Sequence, residues 1–157
     1  MADLTQNNPR SGQGAPKWEI EWPMSANSQL WAGAALMMDP ATGLAVNVTP
    51  TASALFLGFA KEGKDNRTGS PYGGLASSTT IKVEQEGRVF LPVTHGTTWA
   101  LQDAGKTVYA SDGNTFTLAA GTNNVPVGKV AYVPLGTVGT ALGEILVDYA
   151  AGSLRDL

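Results

Sequence analysis

The chain has 157 residues, 19 of them glycine and 9 proline, a composition that favours many turns and short strands within one domain. Its net charge of −3 lacks the basic excess that sequence-independent DNA binding requires, so no nucleic-acid partner is expected. Cysteine is absent, which excludes disulfides and cysteine-based metal sites, and no cofactor is predicted. No apolar run is long enough for a membrane-spanning helix, and the polar start is unlike a signal peptide.

The N-terminal part differs in composition from the rest. Residues 1–17 are mainly Asn, Gln, Gly, Ser and Pro, and such a segment buries too little apolar surface to offset its loss of conformational entropy. We therefore predict a flexible N-terminal arm over 1–29, which includes a docking strand, followed by a β-rich domain over 30–157.

The docking strand is predicted from the segment WEIEWP at 18–23. Trp18, Ile20 and Trp22 alternate with two glutamates, and this period of two places the three apolar side chains on one face of a strand that stops at Pro23. Two interpretations stay open: the tryptophans cover the core of their own domain, or they anchor the arm on a neighbouring subunit.

The remainder is typical of an all-β domain. Apolar runs and alternating segments, separated by turn signals, predict about eight or nine strands and hence a small barrel with turn-rich hairpins. The predicted segments are 34–38, 44–48, 53–60, 81–85, 88–93, 106–110, 114–118, 125–133 and 144–149. The run at 53–60 is too short to separate strand from helical turn, and a helix is also considered near 95–105.

Two connections stand out in this pattern. The polar stretch 61–74 predicts a long surface loop, and Asp112-Gly113 between alternating segments predicts a tight hairpin turn.

Catalytic patterns are weak in this sequence. His95 is the only histidine, and no nucleophile motif accompanies it. Glu84 and Glu86 lie two apart on a predicted strand, where a carboxylate pair could serve glycoside chemistry, but an exposed strand face explains them better. Asp112 resembles a fragment of a calcium loop whose remaining ligands are missing. We therefore predict a binding or structural protein and not an enzyme.

The order of small motifs over about 30–150 resembles the capsid decoration, or head cement, proteins of tailed bacteriophages. The motifs are "DPATG", "KVEQEGRVFLPV", "GKTVYA", "DGNTFT", "VPVGKV" and "ILVDY". The matching residues are Val83, Gly87, Leu91, Pro92, Gly105, Val108, Tyr109, Pro126, Gly128, Ile145 and Val147. The resemblance does not cover the arm, and the loop at 61–74 has the character of an insertion.

The resemblance implies a barrel or β-tulip-like domain that assembles as a homotrimer on the outer surface of a virion head. Such a protein is made in the host cytoplasm and stabilises contacts between major capsid subunits. Trp18, Ile20, Trp22 and Pro23 are then the candidate contact residues. The alternative interpretation is a head-fibre, tail or receptor- or glycan-binding structural module, with the loop at 61–74 as its contact; a small lectin or hydrolase using Glu84, Glu86 or Asp112 is a third possibility.

Overall fold

A computed structural model describes residues 3–7, 18–133 and 144–152. The predicted arm residues 1–2 and 8–17 lie outside these ranges. Within them the secondary structure consists of β-strands and one short 3₁₀ turn, so the predicted all-β fold is confirmed.

Twelve strands follow one another along the described chain. Their bounds are β1 Trp18–Pro23, β2 Ser28–Leu30, β3 Ala35–Met38, β4 Ala45–Asn47, β5 Leu55–Ala60, β6 Lys64–Asn66, β7 Thr80–Leu91, β8 Val93–Thr94, β9 Thr107–Ala110, β10 Phe116–Thr117, β11 Val125–Tyr132 and β12 Ile145–Ala150. The 3₁₀ turn η1 spans Leu101–Asp103. The run at 53–60 therefore forms a strand, and the helix considered near 95–105 is reduced to this single turn.

Ten of the strands form one sheet that curls into a half-barrel. Its order is β4-β3-β5-β7-β12-β11-β9-β10-β8, and β1 joins it by pairing with β7. Most of the pairs are antiparallel, whereas β8 and β10 run parallel. The remaining two strands, β2 and β6, form a small antiparallel sheet of their own.

The longest strand, β7, connects the parts of this sheet. Its first half pairs with β1, its middle with the end of β5 at Val83 and Glu84, and its second half with β12 from Glu86 to Leu91. Buried residues of β7 alternate with half-buried or exposed ones on both sides of Glu86 and Gly87, which agrees with the period-two pattern of the sequence.

The half-barrel encloses two hydrophobic clusters. The larger contains Trp99, Phe56, Phe59, Phe116 and Tyr149, whose ring contacts include an edge-to-face pair of Phe59 and Tyr149 at 4.8 Å between centroids. The smaller lies beneath β1 and contains Met24, Leu30, Leu36, Leu57, Ile81 and Val83. Burial raises the pKa of the Tyr149 phenol above its ordinary value, with smaller contributions from the charges of Glu84 and Glu86.

Candidate docking surface

The strand β1 holds the predicted contact residues, and it pairs antiparallel with β7 of its own chain. In the part of the chain that the structure describes, no strand pairs with the other edge of β1. The register is Trp18 to Glu86 and Glu19 to Glu84, so one residue of β7 is skipped between these two pairs. The extra residue, Gln85, belongs to β7, so the bulge is in β7 opposite the start of β1.

The three apolar residues of β1 have different surroundings on either side of this bulge. Ile20 and Trp22 are half-buried and pack against the smaller cluster, whereas Trp18 is 58% exposed. The Trp22 indole Nε1 donates a hydrogen bond to the Gly43 carbonyl at 2.9 Å. The structure thus brings Ile20 and Trp22 onto their own domain and leaves Trp18 as the outward aromatic side chain. Sequence periodicity placed all three on one face, but it does not show which of them the body covers.

Pro23 ends the strand opposite Thr80, which fits its inability to donate a backbone hydrogen bond. The next residue, Met24, is fully buried, and its backbone N–H donates to the Thr79 carbonyl at 3.0 Å. Pro23 therefore terminates β1 immediately before the chain enters the core.

Charged side chains of β1 and of the neighbouring segments lie close together. The Lys61 ammonium donates a hydrogen bond to the Glu19 carboxylate within an ion pair, and this hydrogen bond raises the pKa of Lys61. Burial raises the pKa of the Glu84 carboxyl, partly opposed by the positive charge of Lys61. Glu84 and Glu86 both lie on β7 within this charged region, and Glu86 pairs in register with the backbone of Trp18.

Residues 3–7 contact the body, although the composition of 1–17 predicts a flexible arm. The Leu4 side chain is 9% exposed and belongs to the smaller cluster. The Asp3 carboxylate accepts a hydrogen bond from the Gly113 N–H at 2.7 Å, and the Asn7 side-chain oxygen accepts one from the Ala32 N–H at 2.9 Å. The side chains of Asp3, Leu4 and Asn7 attach this segment to the body, and the average composition of 1–17 does not reveal such individual contacts.

The predicted loop at 61–74 contains the strand β6 and is pinned by one buried residue. Asn66 donates hydrogen bonds from its side-chain amide to the carbonyls of Ser25 and Leu75, at 3.0 and 2.9 Å, and accepts one from the Ser78 hydroxyl at 2.8 Å. Asn66 is fully buried. This loop is therefore an ordered extension of the body, with Tyr72 exposed on it and Leu75 exposed directly after it.

The side chains considered for chemistry have structural partners. His95 is hydrogen-bonded through Nε2 to the Asp103 carboxylate at 3.1 Å, and its Nδ1 faces the Thr97 N–H at 2.9 Å. Asp103 is buried, also accepts from the Ala100 N–H, and its hydrogen bond with Lys106 lowers the pKa of its carboxyl.

The predicted hairpin is present between β9 and β10, but its connection is the loop 111–115 and not a tight two-residue turn at Asp112-Gly113. The Asp112 carboxylate accepts a hydrogen bond from the Asn114 N–H at 2.8 Å, which is the local side-chain-to-backbone pattern of a turn.

Comparison with known proteins gives no relative for this chain: no family model, no curated protein and no solved structure matches it. Among residues 3–7, 18–133 and 144–152, no helix could span a bilayer and no three acidic or histidine side chains are grouped as metal ligands would be.

Proposed function

We propose that this chain is a decoration protein that binds the outer surface of a phage head as a homotrimer and stabilises contacts between major capsid subunits. The observation that carries the proposal is the placement of Trp18, an exposed indole on a strand that is itself held firmly to the body. The order of motifs that resembles head cement proteins supplies the class of partner.

The strand β1 is a suitable holder for such an anchor. Ile20, Trp22 and the pairing with β7 fix the backbone next to Trp18, so ordering the indole on a partner costs little further conformational entropy. A tryptophan side chain also offers a large contact area with only two rotatable bonds.

The energy of one such contact favours a multivalent arrangement. Burying the exposed part of Trp18 would contribute about 2–4 kcal/mol at roughly 25 cal/mol per Å². Because a dissociation constant of 1 mM corresponds to about 4.1 kcal/mol, a single indole gives weak attachment. Three copies in a symmetric trimer make the second and third contacts effectively intramolecular, which raises the overall affinity.

The test compares particle binding of the wild-type protein and two variants. Heads of the virus that carries this gene, prepared without this protein, are mixed with wild type, Trp18→Ala or Tyr72→Ala and then sedimented. We expect wild type and Tyr72→Ala to co-sediment and Trp18→Ala to remain in the supernatant. A point variant is preferable to deleting the whole segment, since Ile20 and Trp22 also stabilise the body.

Two further measurements complete the test. Light scattering of the wild-type protein in solution and electron microscopy of decorated heads should give three-fold assemblies on the head surface. Unchanged binding of Trp18→Ala, or density on the tail alone, would overturn the proposal; the second result would favour the alternative tail or receptor-binding module.

A further inference from the structure

A groove of about 550 Å³ lies on the part of the sheet formed by β9, β11 and β12. It is well separated in sequence from the contact residues of β1. The residues that line it are Thr107, Tyr109, Pro126, Gly128, Lys129, Asp148 and Ala150. We call this the outer groove, because the alternate residues of the same strands, such as Val108 and Val147, point into the core. Its volume falls within the range of small-ligand sites.

The floor of the outer groove is shaped by Gly128. The register of β11 against β9 shifts between Pro126 and Gly128, and on the other side Gly128 pairs with Tyr149 of β12. A Cβ atom at position 128 would lie 2.1 Å from the Asp148 carbonyl oxygen, so a side chain cannot occupy this position without moving the backbone. Bare backbone is thus exposed between the side chains of the neighbouring strands.

The polar groups of the outer groove carry opposite charges. Lys129 and Asp148 are cross-strand partners, and Asp148 also forms an ion pair with Arg88, with 2.6 Å between Nε and Oδ1. Thr107 adds a hydroxyl that can donate or accept. The lining therefore places hydrogen-bond donors and acceptors close together, and neither positive nor negative groups predominate in it.

The apolar groups supply flat or small surfaces beside these polar groups. Tyr109 and Pro126 are cross-strand partners at one side, and Ala150 lies at the other. An aromatic ring next to proline suits the C–H faces of a ring-shaped ligand, whereas the carboxylate, ammonium and hydroxyl groups suit its hydroxyls.

We propose that the outer groove binds a neutral saccharide. The lining presents one ammonium, Lys129, beside one carboxylate, Asp148, and the nearby Arg88 is already paired with that carboxylate, so a strongly anionic ligand would meet no cluster of unpaired cations. A purely apolar ligand would leave the Lys129 and Thr107 groups without hydrogen-bond partners. A neutral polyhydroxylated ring satisfies both kinds of surface. The proposal is independent of the decoration function, which depends on Trp18.

The test is a titration of the ¹⁵N-labelled full chain, followed by heteronuclear NMR, with maltotriose, cellotriose and chitotriose, and with 3′-sialyllactose as an anionic comparison. We expect at least one neutral trisaccharide to shift the amide signals of Tyr109, Gly128 and Lys129. The variant Tyr109→Ala should weaken that binding about tenfold or more, which corresponds to about 1.4 kcal/mol. Asp148→Asn should weaken it as well, and Leu101→Ala, at an exposed position outside the lining, is the control that should leave it unchanged.

Several outcomes would overturn this inference. The first is the absence of shifts with all three neutral trisaccharides at about 20 mM, a concentration at which even weak binding is visible. The others are shifts confined to residues away from the outer groove and preferential binding of the sialylated sugar. Loss of head binding by Tyr109→Ala without any saccharide response would assign the outer groove to the docking surface instead. Failure of Trp18→Ala to affect head binding would leave the saccharide result untouched, so the two proposals can fail separately.

Discussion

Asn66→Ala should destabilise the protein far more than an ordinary polar-to-alanine change. Asn66 is fully buried and its side chain joins three segments through Ser25, Leu75 and Ser78. A hydrogen bond contributes about 0.5–1.5 kcal/mol net. The Ser78 hydroxyl has a single proton and also lies 2.8 Å from the Leu75 carbonyl, so its hydrogen bond with Asn66 contributes less than a full hydrogen bond to stability.

The expected loss in the free energy of unfolding is therefore about 2–3 kcal/mol. It does not rise further, because both carbonyls keep another donor: Ser28 Oγ donates to the Ser25 carbonyl and Ser78 Oγ to that of Leu75. In a chain of this size such a loss lowers the melting temperature by roughly 4–12 °C.

Urea unfolding at 25 °C measures this loss, with Gln102→Ala at an exposed site as the control. Hydrogen exchange gives a second readout. The amides of Asn27 and Ser77, which donate to the Gly74 and Met24 carbonyls, should exchange faster in Asn66→Ala. A loss below about 0.5 kcal/mol, within the range of ordinary surface changes, would refute the reasoning that Asn66 pins this loop.

The isosteric variant Asn66→Asp should show a characteristic pH dependence. An ionised carboxylate at this position would face two carbonyl oxygens, which raises its pKa in the folded state above the unfolded value of about 3.9. The variant should therefore be most stable below about pH 4 and lose stability as the pH rises. Stability that instead increases from pH 4 to pH 7, relative to wild type, would contradict this geometry.

Three shorter predictions concern other positions. The hydrogen bond with Lys106 lowers the pKa of Asp103, so this carboxylate stabilises the fold fully above its unfolded pKa of about 3.9 and loses that contribution as the pH falls. Thermal melts at about pH 2.5 to 7 should therefore show that the difference in stability between wild type and Asp103→Asn becomes smaller below about pH 4. Gly58→Ala, whose Cβ would lie 2.1 Å from the Glu84 carbonyl oxygen, should cost more than about 3 kcal/mol or abolish soluble expression, whereas Gly43→Ala, in open space at φ +73°, should cost about 1–2 kcal/mol. The Asp65 carboxyl should titrate near pH 2, as its hydrogen bonds with Arg67 lower its pKa to about 2, and carboxyl ¹³C NMR of Arg67→Ala should show its return toward the ordinary value.

Strands whose side chains alternate clearly could be predicted from the sequence. The glutamates and tryptophans of β1 gave its bounds. The alternation in β7 gave two segments, 81–85 and 88–93, which the structure joins into the single strand Thr80–Leu91. Periodicity succeeds there because each strand has one face on the core and the other in water.

Other elements depend on contacts that a local pattern cannot show. The polar strand β6 exists because β2 pairs with it and because Asn66 fills a buried position, so its sequence reads as a loop. The different surroundings of Trp18 and Trp22 depend on how far the body extends beneath β1, and the outer groove combines three strands that are separate in the chain. Tyr109 and Asp148 carry no sequence signal that would link them.

The position of β7 midway along the chain has a consequence for synthesis on the ribosome. The strand β1 emerges about 60 residues before its pairing partner, which at roughly 5–20 residues per second leaves it without that partner for about 3–12 s. During this interval its tryptophans are available for aggregation with other nascent chains. Glu19 and Glu21, which interrupt the apolar residues, place charge at this vulnerable edge and so protect the unfinished protein.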